Sequence, residues 1–187
     1  MVENISGSGF LLLWRVKSTM ASFIPESFSL PKEFVFDGLR LEPLTPKHAE
    51  KDYAAVMSHL DEIAGVFAPG YPWPRKSLTL EEDFSDLEWH ENEFRQKTSF
   101  AYTVLSADCS ECLGCIYVYP PTARGFDAEV FFWAAGERGG GLDARLAVVV
   151  SAFLKSWPFA RIAFPGRALS WQEWRALGGR TYGTEKS

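Results

Sequence analysis

Apolar positions first fall into a regular pattern at Phe34. Phe34-Val35-Phe36 and Leu39-Arg40-Leu41-Glu42 flank Asp37-Gly38, and an Asp-Gly pair supplies the positive φ angles of a tight hairpin turn. Thr45-Pro46 reads as an N-cap with proline at the first helical position, and Ala49, Tyr53, Val56 and Leu60 follow at helical spacing, predicting a first helix. The run Phe67 to Pro74 holds three prolines and a glycine, so it is predicted as a stiff aromatic loop, packed on the core or lining a substrate site. Thr79 to Glu82 fits a capping box and opens a second helix, with Leu80, Phe84, Leu87 and Phe94 as its apolar stripe. Its acidic positions, Glu81, Glu82, Asp83, Asp86, Glu88, Glu91 and Glu93, are expected to face solvent. Phe100 to Val104 and Leu113 to Tyr119 read as an antiparallel pair of strands across the polar connection Ser106 to Glu111. A third strand, Ala128 to Ala134, runs through Gly136 to Gly141 into a helix with Leu142, Leu146, Val149, Phe153 and Trp157 on one face, stopped by Pro158. Arg161 to Phe164 completes a strand-helix-strand unit, and a last short helix from Trp171 to Leu177 ends at Gly178-Gly179.

Composition narrows this to one α/β domain. A chain of 187 residues, 47% hydrophobic and 15% aromatic, is long enough for a single sizeable core. Residues 1–32 are expected to be a flexible tail, 33–182 the folded domain and 183–187 a second tail, with Met20 as an alternative translation start. A net charge of -5 and a pI near 5.3 argue against nucleic acid as partner. No apolar run approaches a membrane span, and Met1 to Ser18 lacks the basic start and cleavage pattern of a signal peptide, so a cytoplasmic protein without a membrane partner is expected.

Candidate chemistry centres on the strand, glycine turn and helix. Glycines let backbone N–H groups close on a phosphate, and the helix N-terminus adds partial positive charge. Cys109, Cys112 and Cys115 repeat at metal-ligand spacing, but no fourth Cys exists and none of His48, His59 or His90 stands at matching spacing. No metal is therefore expected; Cys109 and Cys112 are placed in a strand connection, Cys115 in a strand, all as free thiols. Gly139, Gly141 and Ala144 also satisfy a loose dinucleotide fingerprint, without an acidic residue at the end of the next strand to hold a ribose.

The order strand, helix, helix, three strands, helix, strand, helix resembles the GNAT superfamily of acyl-CoA-dependent N-acyltransferases over roughly Leu39 to Arg180. The resemblance rests on Arg138-Gly139-Gly140-Gly141-Leu142, which matches the first five positions of that family's Arg/Gln-x-x-Gly-x-Gly/Ala loop. It implies a mixed, mostly antiparallel central sheet flanked by helices, with acetyl-CoA as co-substrate and a small-molecule or protein amine as acceptor; a homodimer is compatible with it. It also implies that Phe132, Trp133 and Ala134 line the pantetheine arm, that Arg138, Gly139, Gly140, Gly141 and Leu142 with Asp143 surround the pyrophosphate, and that Glu129 takes the amine proton. Read as a strand carboxylate, Glu129 has a structural alternative, pairing with an arginine or facing solvent. Tyr71 and Trp73 are candidates to hold a cationic acceptor by cation–π contact. Three features depart from the family: Asp143 stands at the sixth loop position, Trp174 replaces a tyrosine before the closing Gly178-Gly179, and little chain is left for two final strands. They support the alternative of a degenerate acyltransferase domain that binds acyl-CoA or a protein without turnover. The thiolate's proton donor is then open among Tyr117, Tyr119, Tyr182 and water.

Overall fold

The Asp-Gly turn behaves as its chemistry predicts. Asp37 and Gly38 take φ values of 49° and 69°, and β1 (Phe34–Phe36) folds back antiparallel on β2 (Leu39–Pro43). In the computed structural model, which describes residues 23–181, this hairpin forms one edge of a six-stranded sheet ordered β1-β2-β3-β4-β5-β6. The remaining strands are β3 (Phe100–Ser106), β4 (Cys112–Tyr119), β5 (Ala128–Ala134) and β6 (Ile162–Ala163). Every pairing is antiparallel except β5 with β6, which is parallel, so the sheet is mixed and mostly antiparallel as expected.

Helices cover both faces, which is why β5 is apolar at every position except Glu129. Ala128, Val130, Phe132 and Ala134 pack with Leu146, Val149, Val150 and Phe153 of α4 (Gly141–Leu154), while Phe131 and Trp133 point the other way, with Val56 of α1 (Ala49–Ser58) and Leu87 of α3 (Leu80–Gln96). A 3-10 turn, Pro46–His48, leads into α1, and the one-turn helix α2 (Leu60–Ile63) follows it. Arg145 of α4 reaches the hairpin turn, where its Nε donates to Asp37 Oδ2 at 2.9 Å and its Nη2 to the Asp37 carbonyl. No helix among the described residues is long and apolar enough to cross a membrane.

Several expectations are corrected. Helix α4 ends at Leu154 rather than Trp157: the chain tightens into turns, with Lys155 N–H on the Ala152 carbonyl and Trp157 N–H on that of Leu154, and Pro158 keeps Trp157 from helical geometry; Trp157 still packs its ring on Phe100 and Phe153. The predicted strand Arg161 to Phe164 shrinks to two residues, since Pro165 lacks a donor and Gly166, at φ 71°, turns the chain away. Cys112 belongs to β4, not to the connection before it. The capping box at Thr79 and Glu82 forms, but the stripe on α3 does not: Leu80 and Phe84 are each 42% exposed, and the buried side is Asp83, Leu87 and His90. One member of the acidic face expected in solvent, Asp83, therefore lies inside the protein. Residues 23–32 are no loose tail either. Ile24 is buried in the core, Phe23 stacks on Phe159, and the Tyr102 hydroxyl donates to the Pro31 carbonyl at 2.9 Å. The rest of both expected tails, and Met20 and Tyr182, lie outside the described residues.

Candidate active site

At the end of β5 the chain turns through Ala135 to Gly140 into α4. Gly136 and Gly139 take φ values of 128° and 80°, which favour glycine, and a 2.8 Å bond from Gly140 N–H to the Glu137 carbonyl closes the turn. The first N–H groups of α4 have no partner within the helix, so this corner attracts an anion. The chain supplies one itself. The Asp143 carboxylate folds back from the first turn of α4, and Gly139 N–H donates to its Oδ2 at 2.9 Å.

Arg167 closes the arrangement from the other side. Its Nη1 donates to Asp143 Oδ2 at 3.0 Å and its Nη2 to Asp143 Oδ1 at 2.7 Å, a bidentate fork between side chains only 18% and 6% exposed. The same Nη2 donates to the Phe132 carbonyl at 3.1 Å, and the guanidinium lies 3.6 Å above the Phe132 ring. That carbonyl is available because β6 pairs only with Ala128 and Glu129, leaving the later part of β5 without a strand beside it among the described residues. Burial pushes the Asp143 pKa up, but the Arg167 fork, Gly139 N–H and nearby Arg138 outweigh it and hold the carboxyl below the ordinary aspartate range. A cavity of about 10 Å³ remains between Ile63, Val66, Trp133, Arg138 and Arg167, roughly room for one water.

The residues expected around the cofactor therefore do come together, from Phe132 to Asp143. Arg138 is turned aside, its Nη2 donating to the Gly166 carbonyl at 2.9 Å. Arg167 was not foreseen: it belongs to no periodic element, and the only hint is the preceding Pro165-Gly166, which marks a turn next to the end of β5. Glu129 sits toward the other end of β5, fully buried, with its Oε2 accepting from both Thr122 N–H and Thr122 Oγ1 at 2.8 Å. It does not line the cavity beside Arg138. Tyr71 and Trp73 pack edge-on against Phe67, whose ring meets Tyr117 and Phe131, so the proline-rich loop is held to the core by its aromatics. Neither lines the cavity beside Arg138. Trp174 is fully buried and its indole N–H donates to the Arg180 carbonyl at 2.9 Å, a packing role.

No family model and no curated protein matches the sequence. Solved structures do match the fold. A ribosomal-protein-S5-alanine acetyltransferase from Vibrio fischeri superposes with a TM-score of 0.54 at 19% identity, over 78% of this chain and 81% of that one. A Bordetella pertussis protein described as a GnaT-family acetyltransferase gives 0.51 at 19% identity, over 80% and 89%. The strand order, the glycine turn after β5 and these superpositions agree: the chain has the fold of the GNAT acetyltransferases.

Proposed function

We propose that the chain is an acetyl-CoA-dependent N-acetyltransferase whose pyrophosphate site is held closed by its own Asp143–Arg167 pair. One observation carries the reading: the glycine turn already holds an anionic group, with a backbone N–H on one side and a guanidinium on the other. A pyrophosphate needs those same donors, and Arg138 offers one more positive charge within side-chain reach of the turn. The donor set fits the cofactor; the space, about 10 Å³, admits it only when Asp143 leaves Gly139 and Arg167 swings off Phe132. When bound, acetyl-CoA supplies an activated acyl group to an amine. In this reading Glu129 accepts the amine proton once the segment carrying Thr122 gives way, and Tyr71 with Trp73 borders the acceptor, a small molecule or a protein amine such as the Vibrio fischeri relative's name specifies.

Calorimetric titration with acetyl-CoA tests this, with NAD and NADP as controls for the dinucleotide alternative. Saturable binding of acetyl-CoA alone is expected. The same ion pair favours one competing reading, a degenerate domain that binds a protein without turnover, and no binding of millimolar acetyl-CoA would overturn the enzyme reading and make that alternative the working hypothesis.

A further inference from the structure

On the other face of the sheet, α1 and β4 enclose a cluster the glycine turn does not touch. Val104 pairs with Gly114 but Leu105 pairs with Cys112, so Leu113 is an extra residue and β4 bulges. In a regular strand, residues three apart face opposite sides. The bulge cancels that alternation, and Cys112 and Cys115 both point into the layer beneath α1. Gly114 makes it possible, at φ 152° and with no space for a Cβ, which would lie 2.1 Å from the Trp133 carbonyl oxygen. Asp52 comes down from α1 onto both thiols. Cys115 Sγ donates to its Oδ1 at 3.0 Å and Cys112 Sγ at 3.6 Å, and the three candidate ligand atoms lie within 4.8 Å of one another. All three residues are at most 5% exposed.

From these positions we infer that Asp52, Cys112 and Cys115 form a binding site for a thiophilic divalent metal ion of the zinc type. Around tetrahedral zinc, ligand atoms stand about 3.8 Å apart for two sulfurs and about 3.6 Å for sulfur and oxygen; Cys112 Sγ already stands 3.6 Å from Asp52 Oδ1, and Cys115 Sγ, at 3.0 Å, needs to move out by about half an ångström. Cys112 also borders a groove of about 490 Å³ between α1 and the start of β4, with Lys51, Ala55 and Ser110 on its walls, which gives an ion a way in and a fourth ligand a place as water. In the neighbouring interior, Asp83 Oδ2 is buried without a hydrogen-bond partner among the described residues. Binding releases the two thiol protons, and that of Asp52 when it is protonated, to solvent, so affinity falls in acid. The metal cross-links α1 to β4. The motif Cys109 to Cys115 could not show this from sequence, since its first cysteine lies outside the cluster and the carboxylate comes from a helix 60 residues earlier than Cys112.

The test uses the full chain, reduced and freed of metal. Titration with Cd²⁺ should give thiolate-to-metal charge-transfer absorption that saturates at one ion per chain, and prior loading with excess Zn²⁺ should raise the Cd²⁺ concentration needed. One equivalent of Zn²⁺ should protect Cys112 and Cys115 from alkylation, mapped by mass spectrometry, while Cys109 stays reactive; this readout needs no variant. Cys109→Ser should leave the absorption intact, and Asp52→Asn should weaken Cd²⁺ at least tenfold while keeping its thiolate band. No absorption at one equivalent, or equal alkylation of Cys112 and Cys115 with and without Zn²⁺, overturns the site.

Discussion

Replacing Asp143 with asparagine keeps the shape of the side chain and removes its charge, so it separates the two jobs the carboxylate performs. In the ligand-free protein the change leaves the Arg167 fork facing a neutral amide. Breaking a fully buried ion pair costs about 3–5 kcal/mol. Arg167 is 18% exposed and keeps its bond to the Phe132 carbonyl, so the expected loss is nearer 2–3 kcal/mol. For a chain of this size that lowers Tm by about 4–12 °C. Acetyl-CoA binding should move the other way. The competitor for Gly139 N–H and Arg167 is weakened, and relief of about 1.4 kcal/mol is tenfold in Kd. Denaturant unfolding of the free protein and calorimetry with acetyl-CoA give the two numbers. The pH dependence adds a sign. The folded pKa of Asp143 lies below its unfolded value near 4, so its stabilisation is present above that value and is lost as pH falls through the folded pKa. Wild type and Asp143→Asn should therefore converge in acid. Weaker acetyl-CoA binding by the variant would refute the reasoning, showing that the carboxylate organises the turn rather than competing for it. A stability loss under about 0.5 kcal/mol would refute the energetic half, being no more than a surface substitution gives.

Other expectations concern the opposite face and the packing around the site. Burial, reinforced by Asp52 and Asp86 against His90, pushes the Asp83 pKa up to about 8. That contribution is complete below the unfolded value near 4 and is lost as pH rises to 8, so Asp83→Asn in metal-free protein should gain Tm over wild type at pH 8 and differ little at pH 4. Gly114→Ala should destabilise by about 3 kcal/mol or more in denaturant unfolding, since backbone and not a movable side chain opposes the new Cβ. Gly179→Ala should cost about 1–3 kcal/mol in the same assay, because its Cβ would lie 2.2 Å from the buried Trp174 ring. Glu129→Gln should lower stability by about 1–2 kcal/mol through its bonds to Thr122 and leave acetyl-CoA affinity within about twofold; an unchanged turnover with a matched amine would remove Glu129 from the chemistry.

What could be read from the sequence was what depends on neighbours along the chain. The Asp37-Gly38 turn, the Thr79 and Glu82 box and the passage from β5 through glycines into α4 are each set within a few residues, and each formed. What depends on distant partners stayed hidden. Asp143 was recognisable as a carboxylate at a helix start, but its partner lies 24 residues on, in a turn without pattern. The face that α3 buries was misread because apolar spacing favours Leu80 and Phe84, whereas the helix turns Leu87 and His90 inward, the His90 ring meeting Tyr117, and carries Asp83 in with them. That Cys112 and Cys115 share a face was hidden by a single inserted residue, since one bulge reverses which side chains lie together.

Helix α4 is held at both ends of its reach. Leu146, Val149, Val150 and Phe153 are fully buried against the sheet, and Arg145, two residues beyond Asp143, is tied to the β1–β2 turn at the far edge. The tie is exposed and individually weak, but the packing beneath it is not. A ligand entering at Gly139 therefore meets a helix that does not retreat, and the room it needs comes from glycine torsions and from Asp143 and Arg167 changing rotamer. Such movements run from nanoseconds to microseconds, so admission at this corner is expected to be fast, with association limited by encounter rather than by displacement of secondary structure.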